Sequence, residues 1–344
     1  MKRREFVRAL GLGGVAGLAG ADVLAAEIAR PPELSGRDLT CGPPIEPYGP
    51  LVEPYGPLID PRGPLIDDSV RLVVLHTNDT HSRMDPFPPD GPFAGLGGAA
   101  RRATLIRRVR EANEHVLLLD SGDIFQGTPY FNFFGGELEF RAMTAMGYDV
   151  ATLGNHDFDN GVEGLARMLP EAGFDFVSAN YDVSASSLAE RVQPWTVREF
   201  GGVRVGIFGL GIAFEKLVLA SLHRGVEYTD PFAAARASCQ ELRNQGCALV
   251  ICLSHLGYEY ADPSRPSDLS LAEAVPDIDL VLGGHTHTFL DQPDTFDQGQ
   301  TGFTLVNQVG WGGMRLGRID VTFDASGGAN NHATAGYEID DRLD

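Results

Sequence analysis

The sequence predicts an α/β protein, and three observations carry that prediction. From residue 70 onward, short apolar runs alternate with helical patterns. Several of these runs are unbroken Val, Leu and Ile, the pattern of strands buried on both faces. Just past the ends of five runs stand His, Asp or Asn residues, where open α/β sheets bind their ligands.

The elements follow in order. "VRLVVLH" reads as a strand and "AARRATLIRRVREANE" as a helix. "VLLLD" is the second strand, followed by a helix near "GELEFRAMTAMG". "DVATLG" precedes a helix near "GVEGLARMLPEAG". Then come "RVGIFGL", a helix near "PFAAARASCQELRNQ", and the strands "LVICLSH" and "DLVLGGH". "MRLGRIDVTFD" alternates more regularly and reads as a closing strand. Residues 325–336, rich in Gly, Ala and Asn, read as a loose loop. The implied division is a globular domain over 70–324 and a tail over 325–344.

Two segments precede the domain. Residues 1–29 open with Lys2, Arg3 and Arg4, continue through a weakly apolar Gly-rich stretch and reach the small residues of "VLAAE". That is the layout of an export signal. The Arg3–Arg4 pair followed by Phe6 and Val7 resembles the twin-arginine type. The expected location is therefore periplasmic or extracellular; an uncleaved amphipathic or anchoring helix is the alternative. Residues 30–69 read as a linker containing the units "EPYGPLV", "EPYGPLI" and "DPRGPLI". Their prolines fix φ and remove backbone donors, which favours an extended spacer, with a recognition tail as the alternative.

Composition sets the outer bounds. The chain has 344 residues, 43% hydrophobic, enough for a full core in one large domain or two ordinary ones. Its formal net charge is −20, and Lys2 and Lys216 are its only lysines. Such an acidic surface argues against nonspecific nucleic-acid binding. It suits a protein kept soluble in strong salt, where screening relieves self-repulsion, although an ordinary acidic protein has the same balance. Of the four cysteines, Cys41, Cys239, Cys247 and Cys252, none forms a C-x-x-C pair, so no thiolate zinc site is expected. Cys252 reads as a small buried hydrophobe, while Cys239 and Cys247 are either paired or free.

The chemistry sits at the strand ends. "VVLHTNDTH" supplies Asp79 and His81, and "LLLDSGD" supplies Asp120 and Asp123. "ATLGNHDFD" supplies Asn155, His156, Asp157 and Asp159. "VICLSH" supplies His255, and "LVLGGHTH" supplies His285 and His287. Asp120 and Asp157 read as turn caps, and His76 as a hydrogen-bonding support rather than a ligand. His115, His223 and His332 lack this context and read as surface residues. Imidazoles with carboxylates and one amide, and no thiolates, suit Mn²⁺, Zn²⁺, Fe²⁺ or Co²⁺. There are more ligands than one ion needs, and two ions about 3.5–4 Å apart sharing a carboxylate would use them all. That apparatus hydrolyses phosphoesters.

Taken together, Asp79-x-His81, Gly122-Asp123, Gly154-Asn155-His156-Asp157, His255 and Gly284-His285-x-His287 resemble the calcineurin-like metallophosphoesterases. The flanking "LHTNDTH", "GDIFQGTP" and "LGNHDFDNG" resemble the 5′-nucleotidase branch, over about residues 70–323. The resemblance implies a sandwich of two mixed β-sheets flanked by helices, in four layers. It implies that Asp79, His81 and His287 hold one metal, that Asn155, His255 and His285 hold the other, and that Asp123 bridges them. It places His156 in the catalytic position, with Asp159 orienting it, and implies attack of a metal-activated hydroxide on phosphorus. The implied substrate is a nucleotide or another phosphoester. Secreted 5′-nucleotidases carry a second, C-terminal domain that binds the base, whereas this chain ends at Asp344. The expectation is that a separate polypeptide supplies that function. Cyclic-nucleotide phosphodiesterase, nucleotide-sugar pyrophosphatase, di-manganese sulfur-ester hydrolase and non-catalytic metal-binding subunit are the competing expectations.

Overall fold

Strand β1 (Val70–Thr77) shows how the chain builds its layers. Its side chains alternate between two faces, as strand geometry requires. Leu72 and Val74 enter one apolar cluster, and Val73 and Leu75 enter another. All four are fully buried, each contributing about 1.5–3 kcal/mol relative to exposure. The computed structural model describes residues 69–344. The export signal expected over 1–29, the Pro/Gly repeats of 46–66 and Cys41 lie outside the described residues.

Two mixed sheets form the centre. In the first, β1 pairs in parallel with β2 (Val116–Asp120), followed by β3 (Val150–Ala151), β4 (Asp175–Val177) and β6 (Val192–Gln193). On its other side β1 pairs antiparallel with β14 (Arg315–Phe323), and β14 with β15 (Ala329–Glu338). In the second sheet β8 (Val203–Leu210), β10 (Leu249–Ser254), β11 (Leu280–Gly283) and β13 (Thr304–Asn307) run parallel. The antiparallel β7 (Trp195–Phe200) and β12 (Asp294–Phe296) close its edges. A small pair, β5 (Tyr181–Asp182) with β9 (Glu227–Tyr228), stands apart.

The sheets face each other across one apolar cluster. Leu72, Leu117 and Ile319 from the first sheet meet Ile207, Ile251 and Leu280 from the second. Helices cover the outer faces. Leu105, Ile106 and Val109 of α1 (Ala99–Ala112) pack on the first sheet, joined by α2 (Pro129–Phe134), α3 (Glu137–Met146) and α4 (Gly161–Met168). Ala235, Cys239 and Leu242 of α5 (Pro231–Asn244), with Leu271 of α6 (Asp268–Ala274), cover the second. Asp230 starts α5 by accepting from the Phe232 and Ala233 amides, and Pro231 supplies a preset φ at its first position. The four-layer α/β sandwich expected from the sequence is therefore the fold. Among the described residues no helix is long and apolar enough to cross a membrane.

Two readings need correction, and one open alternative is resolved. Residues 329–336, expected within a loose loop, belong to β15, which runs to Glu338 along the edge of the first sheet. The ladder to β14 holds this strand, so Gly, Ala and Asn suffice where no second neighbour must be packed. After it, Ile339 and Leu343 are buried. The rings of His115, His223 and His332 are half-buried against Phe200, Phe214 and Phe303 rather than fully solvated. Cys239 and Cys247 are free, buried thiols, as is Cys252, which has the core position its strand implied.

Candidate metal centre

The polar residues after β1, β2, β3, β10 and β11 converge where the two sheets meet. Asp79, His81 and His287 each offer one ligand atom, all within 4.8 Å of one another. Asp123, His255 and His285 form a second group by the same measure. Each group therefore draws on both sheets. The groups touch: the Asp79 carboxylate accepts the His285 backbone N–H at 3.0 Å, and Asp79 Oδ1 lies 4.0 Å from His255 Nε2.

Local backbone explains how such short loops aim these groups inward. Asp79, His81, Asp123, His285 and His287 all have φ between 48° and 71°. That left-handed conformation strains a residue with a side chain, by roughly 1–3 kcal/mol, and persists only where the surroundings enforce it. Two glycines allow the loops to approach. A Cβ on Gly122 would sit 2.5 Å from the Gly154 nitrogen, and one on Gly154 would sit 2.2 Å from Asp123 Oδ1. Asp157 ties the same loops together as the turn cap its position suggested. Its carboxylate accepts the amides of Asp123, Ile124, Phe125 and Gly154 at 2.8–3.2 Å.

Hydrogen bonds fix which ring nitrogens face inward. His81 Nδ1 lies 3.2 Å from the Phe125 carbonyl, and His255 Nδ1 lies 2.7 Å from the Ser121 carbonyl. A carbonyl only accepts, so each Nδ1 carries a proton and each Nε2 is the atom aimed at the centre, where it can bind an ion once it gives up any proton of its own. His81 Nε2 and His287 Nε2 are 3.0 Å apart. Asn155 is buried, and its Oδ1 has no hydrogen-bond partner. A buried amide oxygen left so is unfavourable by about 1–3 kcal/mol, and a cation would satisfy it.

The charges point the same way. Burial alone would push the His255 imidazole down, but Asp123, 3.1 Å from its Nε2, and then Asp79 outweigh burial and raise it to about 10. The carboxylates thus attract positive charge to this spot, as a proton on His255 or a metal ion in its place. His285 behaves oppositely: burial, then the neighbouring His255, lowers it to about 4, which leaves a neutral imidazole. The residues present therefore fit divalent metal by donor type, burial and charge.

His156 stands at the rim, its side chain 36% exposed. Its Nδ1 faces Asp159 Oδ2, and its backbone N–H donates to Asp123 Oδ1 at 2.7 Å. The hydrogen bond with Asp159 raises its pKa against the opposing effect of burial. So all nine singled-out residues lie in one region. His76, read as a support, is buried under β14 with its Nε2 2.9 Å from Asn307 Nδ2.

Three participants were missed. Asn78 donates to Asp79 Oδ2 at 2.6 Å; it sits inside the quoted "HTNDTH" but looks like a turn residue. Trp311 stacks on the His287 ring at 5.4 Å and 11°. Gln308 bonds the loop carrying His285 and His287. Only the scarcity of tryptophan, two in the chain, could have drawn attention to Trp311.

Comparison with known proteins supplies a context. The family model "Calcineurin-like phosphoesterase" matches residues 72–289. A snake venom 5′-nucleotidase of Crotalus adamanteus is 35% identical over 280 residues, covering 75% of this chain and 46% of that one. The Bos taurus 5′-nucleotidase is 36% identical over 228 residues, covering 64% and 38%. The solved 5′-nucleotidase precursor of Thermus thermophilus superposes with a TM-score of 0.72 at 33% identity, covering 80% of this chain and 55% of that one. The chain thus spans about half the length, or less, of the curated relatives it matches.

Proposed function

Because the chain belongs to the calcineurin-like phosphoesterase family, we propose that it is a dinuclear-metal phosphomonoesterase of the 5′-nucleotidase kind. Asp79, His81 and His287 would hold one divalent ion and Asn155, His255 and His285 the other, with Asp123 shared. Mn²⁺, Zn²⁺, Fe²⁺ and Co²⁺ all suit these donors. Bound there, such a pair lowers the pKa of water and draws charge from phosphoryl oxygens.

The protein's own part is orientation and proton control. Asp159 holds His156 by Nδ1, so the proton the ring is free to give is the one on Nε2. The raised pKa keeps the ring protonated further into the neutral range. From the rim, Nε2 donates to the leaving-group or phosphoryl oxygen as charge grows there. The backbone bond from His156 to Asp123 ties this acid to the carboxylate that both ions would share. Apolar walls and buried loops exclude bulk water from the Asp79, Asp123 and His255 side chains.

One observation carries this reading: two three-residue ligand groups in contact, with a carboxylate-held histidine on their rim. The names of the relatives, 5′-nucleotidases, support the substrate class. The test is the metal-stripped chain, reloaded with Mn²⁺ and given AMP, UDP-glucose, a cyclic nucleotide and p-nitrophenyl phosphate. Phosphomonoesters should be hydrolysed and the others spared. Cleavage of UDP-glucose or the cyclic nucleotide alone, or of nothing, would remove the proposal. These residues match only about half, or less, of the curated relatives' length, so base recognition would lie outside them and they alone should treat AMP and the aryl phosphate within about a hundredfold, equivalent to roughly 2.7 kcal/mol. Export, supported by the basic, Gly-rich start, is the remaining part, and cell fractionation tests it.

A further inference from the structure

The segment from Asn307 to Gly312 runs behind the centre. The Val309 amide donates to Asn78 Oδ1 at 3.0 Å, and the Gly310 carbonyl accepts from Asn78 Nδ2. The Gly312 amide donates to the Asp79 carbonyl at 2.7 Å. Between them Gln308 does something different, because it reaches the other sheet's loop at both ends.

Gln308 is fully buried. Its Nε2 donates to the Gly284 carbonyl at 2.7 Å, just before His285. Its Oε1 accepts from Thr286 Oγ1 at 3.1 Å and from the Thr288 amide, just after His287. One amide therefore brackets both histidines. They hold φ of 71° and 55°, so the loop is strained and needs outside restraint. His285 belongs to one ligand group and His287 to the other.

We infer that Gln308 is a positioning residue that couples the two metal groups, one side chain setting the loop that delivers a histidine to each. The inference rests on the reading that both groups bind metal. Its consequence is specific: loosening Gln308 weakens both sites together, because the loop cannot misplace one histidine and keep the other. Losing an outer support of this kind typically lowers metal affinity 10–100-fold.

The test titrates the metal-stripped full chain with Co²⁺, followed by calorimetry and by visible absorption. Gln308→Leu should weaken both ions at least tenfold and change the absorption envelope. Gln308→Glu keeps the acceptor for Thr286 and Thr288 but loses the donor to Gly284, so both affinities should fall between wild type and Leu. Asn307→Ala, one residue away, loses a buried bond to His76; its melting temperature should drop while both Co²⁺ ions bind as in wild type. Wild-type affinity for both ions in Gln308→Leu, or loss of one ion only, would overturn the inference. If the Leu variant does not fold, Gln308→Glu decides it alone: weakening of neither ion, or of one, is fatal. Wild-type protein that binds no Co²⁺ would instead strike the metal-centre reading itself.

Discussion

The Nδ1 of His156 lies 2.9 Å from the Oδ2 of Asp159, three residues further along the same short loop. The pair sits beside the ligand groups without belonging to either. That separation gives a first prediction. His156→Asn should retain both metals by elemental analysis yet lose kcat by roughly 10²–10⁴-fold. The loss should shrink with p-nitrophenyl phosphate if the ring protonates the leaving group. An emptied metal site in this variant would make His156 a ligand instead.

Asp159 should be visible in the pH profile. Its hydrogen bond is the largest influence raising the His156 pKa, and an acid acts only while protonated. Activity therefore falls as pH rises through that pKa. Asp159→Asn lowers the pKa, so the alkaline limb of kcat should move to lower pH, with a smaller loss at the optimum than His156→Asn. An unmoved limb would show that another group controls it.

Asp123 belongs to one ligand group and acts electrostatically on His81 of the other, which is why it is proposed as the shared ligand. Asp123→Ala leaves two neighbouring cations with poorly compensated repulsion. Metal content should drop for both ions together, and retention of two metals per chain at wild-type affinity would contradict a shared carboxylate.

Asp268 should set part of the pH dependence of stability in the metal-free chain. It is buried at the start of α6, one oxygen bonded by Ser254 and the other without a partner. Burial raises its pKa to about 8 from 3.8. The folded state then binds a proton that the unfolded state has released, so between those two values stability falls as pH rises. The slope from one such group is about 1.4 kcal/mol per pH unit. Asp268→Asn should flatten the change in denaturant stability between pH 5 and 7. An unchanged slope would place the proton elsewhere.

The net charge of −20 predicts that molar KCl raises the melting temperature by screening self-repulsion. A flat or falling curve would mark an ordinary acidic protein.

The legible parts of the molecule were those written locally. Leu117–Leu119 and Leu249–Leu253 announce strands because both faces are buried, and the polar residue after each run falls at a sheet end by necessity. Asp79, Asp123, Asn155, His255 and His285 stand out in the sequence for that reason. β15 was hidden because its partner strand, not its composition, makes it a strand. Short elements such as β4, β12, β13 and α6 carry too few residues to show a period. Gln308 was invisible for a different reason. Its partners are carbonyl, amide and hydroxyl groups some twenty residues earlier, and no spacing rule marks a residue that acts through backbone.

Each ligand group joins residues far apart in sequence: Asp79 with His287, and Asp123 with His285. Neither can form until its last member is made, after eleven of the fifteen described strands, β1 to β11. Loop closure over such separations is slow and rewarded late. The order of events during biosynthesis follows. Ion capture comes after both the synthesis of β11 and the meeting of the two sheets. An ion that binds only the finished form stabilises it by mass action. Chelation should accordingly speed global unfolding more than it slows refolding, and the ion selected is the one available where the two sheets come together.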